Sequence, residues 1–495
     1  MSFLQKLKEI REHTGEALTD GLSNEDLVLF ADDVQLGTAI DEALVIFQDL
    51  LPEQKEVIKK SEKDLIDFLQ GDYVNFYQSA AINPYVAIAA RGPWIVTLYG
   101  AVLHDSGGYG MLGFGHGPDD VLDAMNKNHV MANVMTPSLM QKEFANAIRN
   151  EVGHTRSGDK RQPYAKFVCM NSGSESVTVA SRISDLNAKS LTDVGQKYEK
   201  RTIKLLSLEG SFHGRTDRPA QASGSTLESY QKLASFRDRD NAWFVKPNDI
   251  QDLAETFEKA EKENVFIEIM MIEPVMGEGN PGEAVTPEFY SAARTLTAKH
   301  GALLLVDSIQ AGLRARGCLS IMDYPGFSEL DPPDMETYSK ALNAGQYPLS
   351  VLAMNDNAAR IFECGIYGNT MTTNPRALDV ACAVLDQVTP ELRSNIVDRG
   401  QEILERFKGL MDEFPGVVTG YKGTGLLCAL DLNADGYQVV GFDCVEEYMR
   451  KKGIGVIHGG KNALRFTPHF KISSKEIDLI IDHIRSALKR GPVYK

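Results

Sequence analysis

From about residue 165 onward, short apolar runs alternate with stretches of helical period. The runs are Phe167-Val-Cys-Met170, Ile203-Lys-Leu-Leu-Ser-Leu208, Phe266-Ile-Glu-Ile-Met-Met-Ile272 and Ala302-Leu-Leu-Leu-Val306. Near-continuous apolar runs separated by helices predict strands buried on both faces, and so a largely parallel sheet covered by helices. Residues 1 to about 80 carry a different pattern. Asp26-Leu-Val-Leu-Phe30 and Leu44-Val-Ile-Phe-Gln-Asp-Leu-Leu51 place apolar stripes between charged positions, which predicts amphipathic helices without evident chemistry. After Pro390 the pattern predicts a long charged helix, an apolar segment Gly423-Thr-Gly-Leu-Leu-Cys-Ala-Leu430 and a closing helix from about Ser474 to Lys489, together a smaller α+β domain. The polar stretch from His154 to Pro163 is expected to be a surface loop.

Composition narrows the function classes. With 495 residues, 43% hydrophobic and 24% charged, the chain has the make-up of a globular enzyme with more than one domain. A formal charge of -16 argues against binding nucleic acid or an anionic membrane through a general electrostatic field. Six cysteines (Cys169, Cys318, Cys364, Cys382, Cys428 and Cys444) lie singly, without zinc-site spacing or the density of a disulfide scaffold, so neither a metal nor disulfides are expected. That usage suits a reducing cytoplasm. Met1 to Glu16 lacks the apolar core of a signal peptide, and the most apolar candidate span, Tyr85 to Leu103, is broken by Arg91, Gly92 and Pro93.

In open α/β sheets ligands bind beyond the carboxyl ends of the strands, so the residues that follow each apolar run are the candidates for chemistry. They are Asn171-Ser-Gly-Ser-Glu-Ser176, Glu209-Gly-Ser-Phe-His-Gly-Arg215, Glu273-Pro-Val-Met-Gly-Glu278 and Asp307-Ser-Ile-Gln310. Ser172-Gly173-Ser174 follows a strand and opens a helix, a suitable seat for a phosphate, although Ser172 and Glu175 also have the spacing of a capping box. Asp307 ends a strand so apolar that its carboxylate must be buried and partnered. Lys340 lies one short strand and turn later, in the uncharged, small-residue segment Tyr338-Ser-Lys-Ala-Leu-Asn-Ala-Gly345. A desolvated lysine there is a candidate amine nucleophile toward an aldehyde.

In this order, the segments resemble those of the class III aminotransferases, the ornithine and 4-aminobutyrate type, over roughly residues 80 to 490. Asp105-x-x-Gly-Tyr-Gly110 with Gly113-Phe-Gly-His-Gly-Pro118 resembles the entry motif, and Asn171-Ser-Gly-Ser-Glu175 the phosphate loop. Phe212-His-Gly-Arg215 resembles the segment whose aromatic ring stacks on the cofactor. Glu273-Pro-Val-Met-Gly-Glu-Gly279 and Asp307-x-x-Gln310-x-Gly312 resemble the two strand-end motifs. Ser339-Lys340-Ala-Leu resembles the Schiff-base segment, and Gly368-Asn-Thr370 with Asn374-Pro375 the segment that reaches the partner subunit's phosphate. Leu464-Arg465-Phe-Thr-Pro468 resembles the carboxylate-binding stretch.

The resemblance implies fold type I of the pyridoxal-phosphate enzymes: a large domain with a mostly parallel seven-stranded sheet and a smaller α+β domain. The expected division is an N-terminal helical extension over 1–80, a segment over 81–120 that joins the small domain, a large cofactor-binding domain over 121–388 and the rest of the small domain over 389–495. It further implies pyridoxal 5'-phosphate held by Ser172, Gly173, Ser174, Phe212, His213, Glu273, Asp307, Gln310, Lys340 and Thr370. Lys340 and Asp307 are then catalytic, Asp307 keeping the pyridine nitrogen protonated and Lys340 moving the substrate proton. Arg465, Arg215 and Glu278 are the expected substrate-binding residues, with glutamate and 2-oxoglutarate as one amino pair and an ω-amine or ω-amino acid as the other. A homodimer with shared active sites is also implied.

The chain departs from the family pattern at Ser308, where a glutamate is usual, at Arg314-Ala-Arg-Gly317, at Thr372-Thr373 and at His469 in place of a proline. An aminomutase or decarboxylase on the same fold remains an alternative reading. Gly108-Tyr-Gly110-Met-Leu-Gly113 matches a dinucleotide-binding pattern, which keeps an NAD-dependent dehydrogenase as a remote one. Against it, Phe114-Gly-His-Gly-Pro118 follows in place of a helix. No G-x-S-x-G or H-E-x-x-H motif is present.

Overall fold

The computed structural model describes residues 2–107, 110–237 and 240–493. Two compact units make up the chain, one formed by Asp120–Val397 and the other by Met1–Asp119 together with Asp398–Lys495.

The first unit is built on a seven-stranded sheet. Its strands in chain order are β1 (Lys166–Met170), β2 (Thr202–Leu208), β3 (Ala242–Val245), β4 (Val265–Ile272), β5 (Leu303–Asp307), β6 (Met335–Tyr338) and β7 (Ser350–Met354), and their spatial order is β1-β7-β6-β5-β4-β2-β3. Only β7 runs against its neighbours; the other pairings are parallel. All eight residues of β4 and all five of β5 are buried, which is the reason both read as near-continuous apolar runs, Glu268 being the charged residue inside β4. The helix Gly173–Thr192 lays Val177, Val179, Ala180 and Ile183 against Leu205, Ile269, Leu303, Leu305 and Leu352 of the sheet. Each such buried aliphatic side chain contributes about 1.5–3 kcal/mol relative to exposure.

The second unit holds two smaller sheets. Ala87–Arg91, Trp94–Thr97 and Val102–Asp105 form an antiparallel meander, extended by Ile454–Gly455 in parallel with Val102–Asp105. The other sheet is antiparallel, in the order Val418–Thr424, Leu427–Leu432, Ala463–Phe466 and Ile457–Gly459. The helices of the first eighty residues belong to this unit and are fastened to its first sheet by buried polar contacts. Glu62 is fully buried and accepts hydrogen bonds from the Leu18, Thr19 and Val86 amides at 2.8, 2.9 and 3.3 Å. Trp94 Nε1 donates to Asp33 at 3.1 Å, and the Phe30 ring meets the Trp94 ring edge-on at 5.0 Å. Gly108 and Tyr109 of the glycine-rich motif lie outside the described residues; after Gly113 the chain turns, and the next helix begins at Asp119.

The polar stretch 154–163 lies mostly at the surface, as expected of a surface loop, with Arg156 the one buried residue within it. Within residues 154–163, Arg156 is buried and donates to the Lys160 and Leu330 carbonyls at 2.9 and 3.1 Å. Asp323 gathers the Gly153 and Thr155 amides and the His154 ring. Burial of Asp323 opposes its charge, but these partners hold its carboxyl below the usual value, and Asp323 in turn brings His154 up to about 10. The buried Arg156 is tolerated because backbone carbonyls accept from its guanidinium.

Candidate active site

The four strand-end segments converge beyond the carboxyl ends of β1, β2, β4 and β5. Ser172 caps the helix Gly173–Thr192: its Oγ accepts from the Glu175 amide at 3.3 Å, while Glu175 Oε2 accepts from the Asn171 and Ser172 amides at 2.9 Å each. The capping-box alternative raised by the sequence is therefore present. Ser174 Oγ accepts from the Arg215 amide at 3.3 Å, which brings the loop after β2 against the loop after β1. Gly214 makes that approach possible, since its φ is +116° and a Cβ on it would stand 2.2 Å from Ser174 Oγ.

Asp307, at the end of β5, is buried and pairs with His213, Nδ1 to Oδ2 at 2.9 Å; its other oxygen accepts from the Ile309 amide at 3.2 Å. A carboxylate offers only lone pairs, so the proton of this pair sits on His213 Nδ1. The opposite ring nitrogen, Nε2, lies 3.1 Å from Ser207 Oγ on β2. Glu273, directly after β4, fixes both neighbouring loops, accepting from the Phe212 amide at 2.9 Å and the Gly277 amide at 3.0 Å. Burial pushes the Glu273 carboxyl up to about 7, and nearby Asp307 adds to the rise, while His213 and the two amides oppose it. Phe212 is half-buried, and Gln310 is buried against Gly277, where a Cβ would come within 2.3 Å of its Cδ.

Lys340 is half-buried and opens the short 3-10 turn Lys340–Asn343 with a φ of 43°. A lysine in the left-handed region costs backbone energy and persists only where its surroundings dictate the conformation. Here they do: Ser339 Oγ and Asn343 Nδ2 both donate to the Leu349 carbonyl, at 2.6 and 3.1 Å. Just before the turn, Thr337 is the register partner of Asp307 and bonds Ser176 through its hydroxyl, while Ser350 Oγ donates to the Ser172 carbonyl at 2.6 Å. These contacts tie the Lys340 turn, the end of β5 and the opening of the helix Gly173–Thr192 into one rim. Thr370 and Arg215 are exposed and Glu278 is half-buried, all in the same unit; the Arg215 guanidinium lies 5.5 Å from the Phe212 ring centre. Arg465 belongs to the other unit, buried on the strand Ala463–Phe466.

Two residues of this rim were not singled out as site residues by the sequence. Ser207 orients His213 from inside an apolar strand, where nothing marks it. Glu175 carries more contacts than its capping role predicts, because Oε1 also accepts from Tyr367 OH and Asn369 Nδ2 at 2.8 Å each.

The sequence pattern of the aminotransferase class-III family matches residues 77–488. The chain belongs to the class III aminotransferases. Acetylornithine aminotransferase of Ralstonia nicotianae is 29% identical over 411 residues, covering 81% of this chain and 93% of that protein. Ornithine aminotransferase 1 of Staphylococcus saprophyticus is 28% identical over 324 residues, covering 65% and 75%. Among solved structures, the ornithine aminotransferase of Toxoplasma gondii shares the fold with a TM-score of 0.74 at 20% identity, over 89% of this chain and 99% of that one. An S-selective transaminase from Bacillus megaterium does so with a TM-score of 0.72 at 16% identity, over 87% and 98%.

Class III aminotransferases use pyridoxal 5'-phosphate to move an amino group to a 2-oxo acid, and this member is a pyridoxal-phosphate enzyme of that kind. The donor set on the rim fits the cofactor: a buried carboxylate held by a protonated imidazole nitrogen, a primary amine on a constrained turn, and a helix opening at small residues. Among the described residues no helix is long and apolar enough to cross a membrane.

Proposed function

We propose that this aminotransferase exchanges amino groups between glutamate and 2-oxoglutarate on one side and an ω-amine or ω-amino acid of the ornithine kind on the other, through a site centred on Lys340 and Asp307. The observation that carries this reading is Asp307, buried at the end of β5, with His213 on one oxygen and the Ile309 amide on the other. Pyridoxal 5'-phosphate, when bound, supplies an electron sink for the pair left at the substrate Cα. Asp307 would accept from the protonated ring nitrogen, and the Ser207–His213 relay keeps its carboxylate from rotating. Gln310 donates toward the phenolic oxygen, and the half-buried Phe212 offers a ring face to stack on. Lys340 Nζ would take the proton from the substrate Cα and deliver it to the C4' carbon, acting as base and then acid from its constrained turn.

Ser172, Gly173 and Ser174 seat the phosphate at the helix opening, and the exposed Thr370 completes the corresponding seat of a partner subunit in a homodimer with shared sites. Arg465 takes the substrate α-carboxylate and Arg215 the distal acid, since the planar guanidinium matches a carboxylate with two parallel hydrogen bonds. Glu278 offsets the positive charge when the substrate lacks a second carboxylate. The names of the relatives support an ornithine-like amine as the second substrate.

A panel of amino donors offered with 2-oxoglutarate or pyruvate tests the assignment. Glutamate formation from an ω-amino donor is the expected result; transfer to pyruvate alone, with none to 2-oxoglutarate, contradicts the proposed pair.

A further inference from the structure

We propose that Glu175 is a positioning residue that clamps the phosphate seat to the segment 366–370, so that the seat is set at the distance a phosphate needs only while Tyr367 and Asn369 hold it. The inference rests on reading residues 172–174 as the phosphate seat. Glu175 stands at the first turn of the helix Gly173–Thr192 and uses both carboxylate oxygens fully. Oε2 takes the Asn171 and Ser172 amides, and Oε1 takes Tyr367 OH and Asn369 Nδ2, four contacts of 2.8–2.9 Å in total. A helix cap needs only the first pair. The second pair reaches 192 and 194 residues along the chain to the segment that ends at Thr370. Burial of the Glu175 carboxyl works against its charge, but these four donors bring it below the usual carboxylate value, so it is ionised throughout the neutral range.

An ionised carboxylate beside a phosphate seat is repulsive unless its lone pairs are spent elsewhere. The donors on Oε1 and Oε2 spend them. By taking the Asn171 and Ser172 amides, Glu175 also passes the phosphate to the amides next along the turn, those of Gly173 and Ser174. At Gly173 a Cβ would come within 2.5 Å of Ile309 Cδ1, so the backbone there lies against the loop that follows Asp307. Small shifts of the turn therefore move the seat relative to Asp307, and the ties to Tyr367 and Asn369 resist them. The same ties fix the residue next to Thr370.

The test compares pyridoxal 5'-phosphate with pyridoxal, which lacks the phosphate, as ligands of the full-length protein freed of cofactor by dialysis. A general loss of structure weakens both; loss of the clamp weakens only the first. Glu175→Ala is expected to lower the ratio of the two affinities by about tenfold, the size of one or two net hydrogen bonds. Glu175→Gln should retain most of it, because its amide can accept from the backbone while Tyr367 and Asn369 turn to accept in their place. Tyr367→Phe combined with Asn369→Ala leaves the helix cap untouched and should lower the ratio to a similar degree, with little further loss when Glu175→Ala is added. If Glu175→Ala does not fold, the Tyr367/Asn369 variant decides. An unchanged ratio in that variant overturns the clamp. Ser174→Ala separates the two claims: if it lowers the ratio while the clamp variants do not, the inference fails alone, and if it leaves the ratio intact, the reading of the seat fails with it.

Discussion

At the scale of single residues, two neighbouring acids meet opposite demands. Asp307 accepts an imidazole N–H on one oxygen and an amide N–H on the other, and in the proposed reaction it faces the cofactor's ring nitrogen. Asp307→Asn is expected to lower kcat by about a hundredfold or more, a typical share of acid–base catalysis, because the amide no longer holds the ring nitrogen protonated. Single-turnover absorbance measurements check it; near-normal turnover would place the cofactor's nitrogen elsewhere. Glu273, buried among the same loops, is pushed up to about 7 and holds its proton into the neutral range. A carboxyl raised by folding lends stability that is complete below its ordinary value of 4.5 and is lost as pH rises through about 7. In cofactor-free protein, Glu273→Gln should therefore gain on the native chain between those two pH values, by on the order of 3 kcal/mol if the full shift is expressed. Urea denaturation at pH 4.5 and 7.5 checks the sign. Arg465→Ala should raise KM for the dicarboxylate about ten- to a hundredfold, the weight of one charge-assisted contact, and leave a simple amine donor nearly unaffected.

At the scale of elements, the closing helix Ser474–Lys489 shows how a local cap is reinforced from a distance. Ser473 and Glu476 form its capping box, and Glu476 Oε1 additionally lies 3.1 Å from His104 Nε2 and 2.7 Å from His469 Nε2. His469 follows the Arg465 strand, and Phe470 donates to the Gly113 carbonyl at 2.7 Å, so the cap also anchors the segment that carries Arg465. The imidazoles and the Ser473 hydrogen bonds outweigh burial and hold the Glu476 carboxyl well below the usual range. Stability from a depressed carboxylate is present above its ordinary value and is lost as pH falls through the folded one, so the cost of Glu476→Gln should be largest at neutral pH and shrink below about pH 4.5. Guanidinium denaturation of both proteins at pH 7 and pH 4 measures this; an equal cost at both would show that the charge of Glu476 does not matter.

The same elements show what a sequence can and cannot convey. Strands β1, β2, β4 and β5 were legible because each is a largely apolar run ending in a polar motif, even where Lys204 and Glu268 stand inside β2 and β4. Strand β6, legible only as a short strand before Lys340, is four residues long and carries Glu336 in its middle. That carboxylate is tolerated in the interior because Tyr164, Ser308, Ser320, Tyr338 and the Ile321 amide all donate to it, at 2.5–2.9 Å. Such a partner set is assembled from positions up to 172 residues away, and no local pattern announces it. Ser308, a departure from the family pattern, is one of those donors. For the same reason nothing in the sequence marks Arg156 as the buried residue of an otherwise largely exposed polar stretch.

At the scale of the whole molecule, the proposed dimer and the division of labour within each subunit can be separated experimentally. Thr370→Ala should weaken retention of the cofactor without changing the mass seen in sedimentation, whereas loss of the dimer should reduce cofactor affinity and activity together. A monomer of full activity would contradict shared sites. The proposed site centres on a reversible link between Lys340 and the cofactor. Reduction of the holoenzyme with borohydride, followed by proteolysis and mass spectrometry, tests it most directly. The account predicts a pyridoxyl phosphate mass addition on the peptide carrying Lys340 and none in Lys340→Ala; the same addition found on another lysine would contradict it.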